Sequence, residues 1–259
     1  MSAVPPYSAA PVEVLRFPAG AEERDELAVE EPLEIRVNGR PVAVTMRTPG
    51  HDEELALGFL VSEGIRPAAA HPAADLAGNT IDVAAEGFDP AKLERNFYTT
   101  SSCGVCGKGA LEAVAVEAPR VESDLRVPLE LVKGLPDRLR DAQATFAATG
   151  GLHATGLFDA KGELLCARED VGRHNAMDKV VGWALGEDRL PLADYVLCVS
   201  GRLSFELVQK AAVAGAPILV GVGAPTSLAV ELAADRNMTL AGFARAGSVN
   251  VYTGAERVS

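Results

Sequence analysis

The chain predicts an α/β protein: a mixed sheet with helices on both faces, preceded by a smaller N-terminal α+β unit. Three observations predict it. From residue 152 onward, short apolar runs alternate with segments whose apolar residues recur at helical spacing, the pattern of a sheet covered by helices. Before residue 98 the pattern is instead a hairpin, one helix and one further strand. The 48% hydrophobic and 23% charged content is ordinary for a globular protein, and 259 residues suffice for one large domain or two modest ones.

Residues 1–30, rich in Pro, Ala and Glu, read as an irregular lead-in. Leu33–Val37 and Val42–Met46 alternate apolar and polar residues around Asn38-Gly39, a dipeptide that accepts the positive φ angles of a two-residue turn. Asp52–Ser62 follows helical spacing until Gly64, and Thr80–Ala84 reads as a strand, closing a unit over 31–98. The remaining 99–259 begins with a cysteine-bearing segment and a helix over Leu129–Arg140. Residues 152–158 and 163–168 read as strands joined by an Asp159-Ala160-Lys161-Gly162 turn. Helices over Arg173–Leu185, Ser204–Ala214 and Ser227–Asp235 then alternate with strands Tyr195–Val199, Ile218–Val222 and Thr239–Phe243, and Val249–Tyr252 is the last strand.

The bulk numbers exclude several classes. A formal net charge of -12 argues against general nucleic-acid binding, which draws on excess Lys and Arg. No apolar run reaches the roughly 18 to 20 residues of a membrane span. Met1-Ser2-Ala3-Val4-Pro5-Pro6 lacks the basic start and apolar core of a signal peptide, so a cytoplasmic location is expected. Four scattered cysteines are too few for a disulfide scaffold.

Two of those cysteines lie in Ser101-Ser102-Cys103-Gly104-Val105-Cys106-Gly107, ahead of a helical run over 110–115. Small residues predict an exposed, mobile loop, and the helix start favours a thiolate. Metal ligation, dithiol redox chemistry and sulfur transfer all use such a group. Zinc would want two further ligands. Cys166 and Cys198 are isolated, and His153 and His174 match no zinc spacing.

Three segments fall at strand ends, where sheets of this class bind ligands: Ser200-Gly201-Arg202, Gly223-Ala224-Pro225-Thr226 and Phe243-Ala244-Arg245-Ala246-Gly247-Ser248. Each joins small residues to a cation or a hydroxyl, as an anionic ligand requires. In Arg168–Lys179, polar residues gather in the first turns of a helix begun by Gly172, which suggests a ligand-facing start, the alternative being a capped helix with surface ion pairs. Ser204 is placed to cap the helix that follows Arg202.

Together, Ser102–Gly107, Gly172-Arg173-His174-Asn175-Ala176-Met177-Asp178-Lys179 and Ser200-Gly201-Arg202-Leu203-Ser204-Phe205-Glu206 resemble the formate dehydrogenase accessory sulfurtransferase family, FdhD. Val44–Gly50, Glu54–Leu60 and Gly223–Ala229 extend the resemblance over nearly everything after residue 30. The resemblance implies a cytidine-deaminase-like larger part and a homodimer. It also implies a sulfur carrier that takes sulfur from a cysteine desulfurase and passes it to the bis-guanylyl molybdenum cofactor for formate dehydrogenase. Cys103 would be the persulfide carrier, with Cys106 either relaying sulfur or resolving a disulfide. Phe243, Ala244, Arg245, Ala246, Gly247 and Ser248 would bind the cofactor. Arg173, His174, Arg202 and Ser204 are expected to join them, with Lys210 as a further cation. The deaminases' zinc motif is absent from the sequence, and no zinc is expected.

Overall fold

The computed structural model describes residues 7–73, 79–89 and 118–259. Its largest element is a six-stranded sheet. β7 (His153–Phe158) and β8 (Leu164–Asp170) form an antiparallel hairpin beside β9 (Val196–Val199). β9, β10 (Ile218–Gly221) and β11 (Thr239–Arg245) run parallel, and β12 (Ser248–Thr253) returns antiparallel at the edge. The spatial order is β12-β11-β10-β9-β7-β8.

Strand alternation sorts the core into two layers. Leu197, Val199, Leu219 and Leu240 face three helices: α4 (Arg173–Gly186), α5 (Phe205–Val213) and α6 (Ser227–Asp235). Val196, Cys198, Ile218, Val220 and Ala241 face the other way, against Val132, Leu135 and Leu139 of α2 (Leu129–Asp141). Helices on both faces of a mixed sheet are thus present as expected. A short helix, α3 (Ala144–Thr149), ends at Gly150 in the left-handed region. It was missed because six residues carry too little periodicity.

The second sheet has order β4-β3-β6-β5, from β3 (Glu31–Val37), β4 (Arg40–Arg47), β5 (Ala69–Pro72) and β6 (Thr80–Ala84). Asn38 (φ 51) and Gly39 (φ 79) make the expected turn. The Asn38 amide also bonds to Ala85, donating to its carbonyl at 2.8 Å and accepting from its N–H at 3.2 Å. β5 carries no apolar alternation; it is held by backbone pairing to β6.

The irregular lead-in expected over residues 1–30 needs correction. β1 (Ala9–Arg16) and β2 (Ala21–Ala28) pair antiparallel along their whole length. β2 reads Ala-Glu-Glu-Arg-Asp-Glu-Leu-Ala, a charged string without strand propensity, so backbone pairing rather than side-chain pattern makes it a strand. The hairpin packs on α3, and the Ser8 and Thr145 hydroxyls lie 3.2 Å apart. The expected boundary between 98 and 99 and the helical run over 110–115 lie outside the described residues.

α1 (Asp52–Ser62) joins the two sheets. Leu55, Ala56 and Leu60 pack on Leu33, Ile35, Ile81 and Val83 of the small sheet. Its other side crosses α4 at glycine. A Cβ on Gly58 would overlap the Asp178 carbonyl oxygen and come within 2.8 Å of the Gly182 nitrogen; one on Gly182 would overlap the Glu54 carbonyl. Only hydrogen fits between these backbones.

Gly58→Ala should therefore cost about 3 kcal/mol through enforced separation of α1 from α4. Gly134→Ala in α2, where an added methyl meets nothing within 4 Å, should gain about 0.5–1 kcal/mol. Urea unfolding of both variants beside the parent checks the pair; a Gly58→Ala midpoint equal to the parent's would show that the crossing is loose.

Candidate functional site

The site is assembled where the N-termini of α4 and α5 meet the carboxyl ends of β9, β10 and β11. The loop before α4 is set by Asp170, which is fully buried. One carboxylate oxygen accepts from Gly172 N–H at 2.8 Å and the Asn175 amide at 3.0 Å; the other accepts from Thr48 N–H at 3.2 Å and Lys179 Nζ at 2.7 Å. Lys179 also donates to the Thr48 carbonyl at 2.8 Å. The Asn175 amide donates to the Met46 carbonyl at 2.8 Å and accepts from Thr45 at 3.2 Å. Every polar atom of this knot has a stated partner, as burial demands.

A second knot fixes α5. Lys210 Nζ donates to both oxygens of Asp178 at 2.8 Å, and Ser62 Oγ donates to one at 2.8 Å. Burial pushes the Asp178 carboxyl upward, with Lys210 and Ser62 pulling the other way. On the flank, Arg168 grips Glu54 at 2.5 and 2.7 Å. Burial raises the Glu54 carboxyl, but the bonds from Arg168 and His51 outweigh it and hold the group below its ordinary value.

These knots sort the helix-start residues. Asn175, Asp178 and Lys179 are buried and serve the fold, and Lys210, counted among the ligand cations, is consumed by Asp178. Arg173 and His174 stay half-buried at the helix start. The Arg173 Nε is buried and has no hydrogen-bond partner among the described residues. His174 Nε2 lies 3.4 Å from Ser204 Oγ and 4.0 Å from a Glu206 oxygen. Burial, reinforced by Lys210 and Arg173, lowers the His174 pKa to about 4, so the ring is neutral at pH 7.

Ser204 occupies the cap position of α5, but its side chain makes no capping bond to the helix, contrary to expectation. The hydroxyl instead donates to Glu206, whose carboxylate also accepts from its own backbone N–H. Burial raises that carboxyl, but these two bonds and nearby Arg173 leave it below its ordinary value. Ser204, His174 and Glu206 have the residue types of a hydrolytic triad without its geometry. Hydroxyl and carboxylate face the same ring nitrogen, whereas a triad uses opposite ones.

Gly201, Gly223 and Phe243 form a ladder across the three strand ends. Gly223 N–H donates to the Gly201 carbonyl at 2.9 Å, and Phe243 N–H to the Gly223 carbonyl at 3.1 Å. The three segments expected at strand ends are therefore neighbours. Arg202 is exposed beside them. Phe243 adopts a left-handed φ of 52 and is exposed. Ala244 is a correction: the register shift between Gly242 and Arg245, with Phe243 in the left-handed region, breaks strand alternation and turns Ala244 into the same core layer as Ala241, fully buried, where it offers a ligand no surface. Arg245 is exposed and donates from Nε to Ser248 Oγ at 3.1 Å, across a turn through Ala246 and Gly247 (φ 89).

His153 is a site residue that the sequence reading weighed only as a zinc ligand. It starts β7, and its Nδ1 would lie 3.4 Å from a Cβ on Gly201. Burial, then Arg173 and Arg202, lower its pKa, with Asp170 opposing. Its place depends on β7 pairing with β9, 40 residues away in sequence, which no local signal reveals. Cys103 and Cys106 lie outside the described residues. Burial pushes the Cys166 thiol up to about 12 and raises Cys198 further, so neither supplies a thiolate at pH 7.

Comparison with known proteins places this arrangement. Residues 28–259 match the FdhD/NarQ family. The chain belongs to that family. It is 54% identical over 252 residues to the sulfur carrier protein FdhD of Streptomyces coelicolor, covering 91% of this chain and 89% of that one. Identity with the Mycobacterium tuberculosis protein of the same name is 51% over 255 residues, covering 91% and 92%. A solved structure assigned as a formate dehydrogenase accessory protein from Desulfotalea psychrophila superposes with a TM-score of 0.76 at 27% identity, covering 97% of this chain and 98% of that one. The family match begins where the β1–β2 hairpin ends. Among the described residues of this family member, no helix is long and apolar enough to cross a membrane.

Two outcomes follow. Asp178→Asn leaves the Lys210 ammonium buried beside an amide and should cost about 3–5 kcal/mol in denaturant unfolding; a loss below 1 kcal/mol would mean that water reaches the pair. The second concerns pH. Above the ordinary histidine value of 6.5, His174 is neutral folded and unfolded; below it the unfolded chain takes the proton first, down to about 4. Stability therefore falls as pH drops from 6.5 to 4. Melting temperatures of His174→Gln across that range should fall less steeply than the parent's.

Proposed function

We propose that this protein is a sulfur carrier: Cys103 accepts sulfane sulfur from a cysteine desulfurase and delivers it to the bis-guanylyl molybdenum cofactor destined for formate dehydrogenase. The observation that supports this most is the family membership, with relatives named sulfur carrier protein at 54% and 51% identity, in a chain that carries the Cys103-Gly104-Val105-Cys106 pair.

The chemistry is thiolate exchange. The Cys103 thiolate attacks the terminal sulfur of the donor persulfide. The donor sulfur–sulfur bond breaks, its electron pair leaves on the donor thiolate, and Cys103 becomes the persulfide. Lys108, five residues on, favours the thiolate. Cys106 then either takes the terminal sulfur in the same kind of exchange or closes a disulfide with Cys103 and releases hydrosulfide.

The cofactor is the substrate. Its phosphates need cations, and the described residues offer the orphaned Arg173 Nε, exposed Arg202 and Arg245, and the start of α5. Despite the overall charge of -12, this end of the sheet is locally cationic. The same reading makes the larger part cytidine-deaminase-like, the working form a homodimer, and the compartment the reducing cytoplasm, where thiols stay free.

Incubation with a cysteine desulfurase and cysteine should add the mass of one sulfur atom, reversibly by reductant, and Cys103→Ala should abolish the addition. The same variant should leave formate dehydrogenase inactive in a complemented accessory-deficient strain. Full activity with Cys103→Ala would instead favour a cofactor chaperone with dispensable cysteines.

A further inference from the structure

The large sheet ends at β8, whose outer edge pairs with no strand among the described residues. Strand alternation fixes which backbone groups point outward. Ala154 turns both of its groups toward β9, accepting from Ser200 N–H at 2.9 Å and donating its own N–H to Ser200 Oγ at 2.8 Å. Thr155 therefore faces β8 and pairs with Arg168, which leaves the backbone groups of Ala167 and Glu169 directed away from the sheet. Their carbonyls agree: the first accepts from the Arg168 guanidinium at 3.0 Å and the second from Lys179 Nζ at 3.4 Å. Their N–H groups have no partner among the described residues.

These donors open into a cavity of about 330 Å³ beside Leu164–Glu169, at the small end of ligand clefts. Pro49, Gly50 and His51 border it on the side of Arg168, and Ala142, Ala144 and Thr145 on the side of Glu169. The charges along it are already matched: Arg168 with Glu54, Lys179 with Asp170, and the Glu169 carboxylate with the first N–H groups of α3. What remains is a pair of neutral donors two residues apart, beside carbonyls that each keep a second lone pair. A free ion finds no unmatched charge there, whereas a second extended backbone matches both donors and both acceptors.

We propose that this slot is a docking site for one extended segment of a partner protein, which adds to the β8 edge as a seventh strand of the large sheet. Ala167 and Glu169 donate to its carbonyls and accept from its alternate N–H groups, so the backbone carries the affinity. This docking is independent of the sulfur chemistry proposed for Cys103.

A library of acetylated, amidated heptapeptides tests it, with the tightest binder measured by fluorescence anisotropy against the full chain. Affinity should change less than about twofold between low and high salt, because no unmatched charge is used. N-methylation of each peptide residue in turn should weaken binding at least about tenfold at alternate positions only, the period of a strand that pairs along one edge. Ala167→Pro, which removes an outward N–H and spares the ladder to β7, should weaken the peptide by a similar factor, and Ala167→Ser should bind as the parent does. A library without a binder overturns the proposal, as does sensitivity to N-methylation without alternation. So does a folded Ala167→Pro, judged by its melting temperature, that binds with the parent's affinity; if that variant does not fold, the N-methylation pattern decides.

Discussion

The crossing of α1 over α4 is the constraint on which the rest depends. Gly58 and Gly182 bring two backbones so close that no side-chain carbon fits between them. This closeness carries Ser62 to Asp178 and places the Thr48 backbone against Asp170 and Lys179. The small sheet and the large one are thereby locked through one helix pair, and the N-terminus of α4 is held still. A looser crossing would leave Asp170 and Asp178 as buried charges with partners missing, a far greater cost than the loss of the contacts alone.

That lock also explains how charge is divided. The stretch from Asp170 to Lys179 holds two carboxylates and a lysine that look like ligand-binding material, yet all three are spent inside the protein. What remains at the surface is complementary to what is buried: Arg173, His174, Arg202 and Glu206, which surround the strand ends. Buried pairs fix position, and half-exposed groups are left to recognise something else. The neutral state of His174 belongs to the same logic, because cations and burial both oppose its proton. The thiols divide likewise. Cys166 and Cys198 lie in the core as small apolar groups, so neither is a candidate for the thiolate chemistry proposed for Cys103.

Much of the architecture was legible in the sequence because strands and helices write their burial into local periodicity. α1 over Asp52–Ser62 and α6 over Ser227–Asp235 have the bounds that pattern predicted, and the Asn38-Gly39 hairpin has its expected turn with strands that run one or two residues longer. The β1–β2 hairpin, β5 and α3 were not legible: the first two owe their form to backbone pairing, and the third is too short to show a period. Of the site, the three glycine-bearing segments could be placed at strand ends from their order alone. Their neighbourhood could not be checked until parallel pairing of β9, β10 and β11 set them side by side.

The sequence by itself determined the elements with a clear period, the family and the residue types available for thiol and anion chemistry, because these depend on spacing over a few residues and on motif order. Tertiary structure decided which of those residues are free to act. Lys210 looked like a ligand cation until Asp178 was found beside it, Ala244 like a contact until the register shift at Phe243 turned it inward, and His153 gained meaning only from neighbours distant along the chain. The reason is physical. The availability of a charged group depends on what else shares its local surroundings, and those surroundings are made by packing, not by order along the chain.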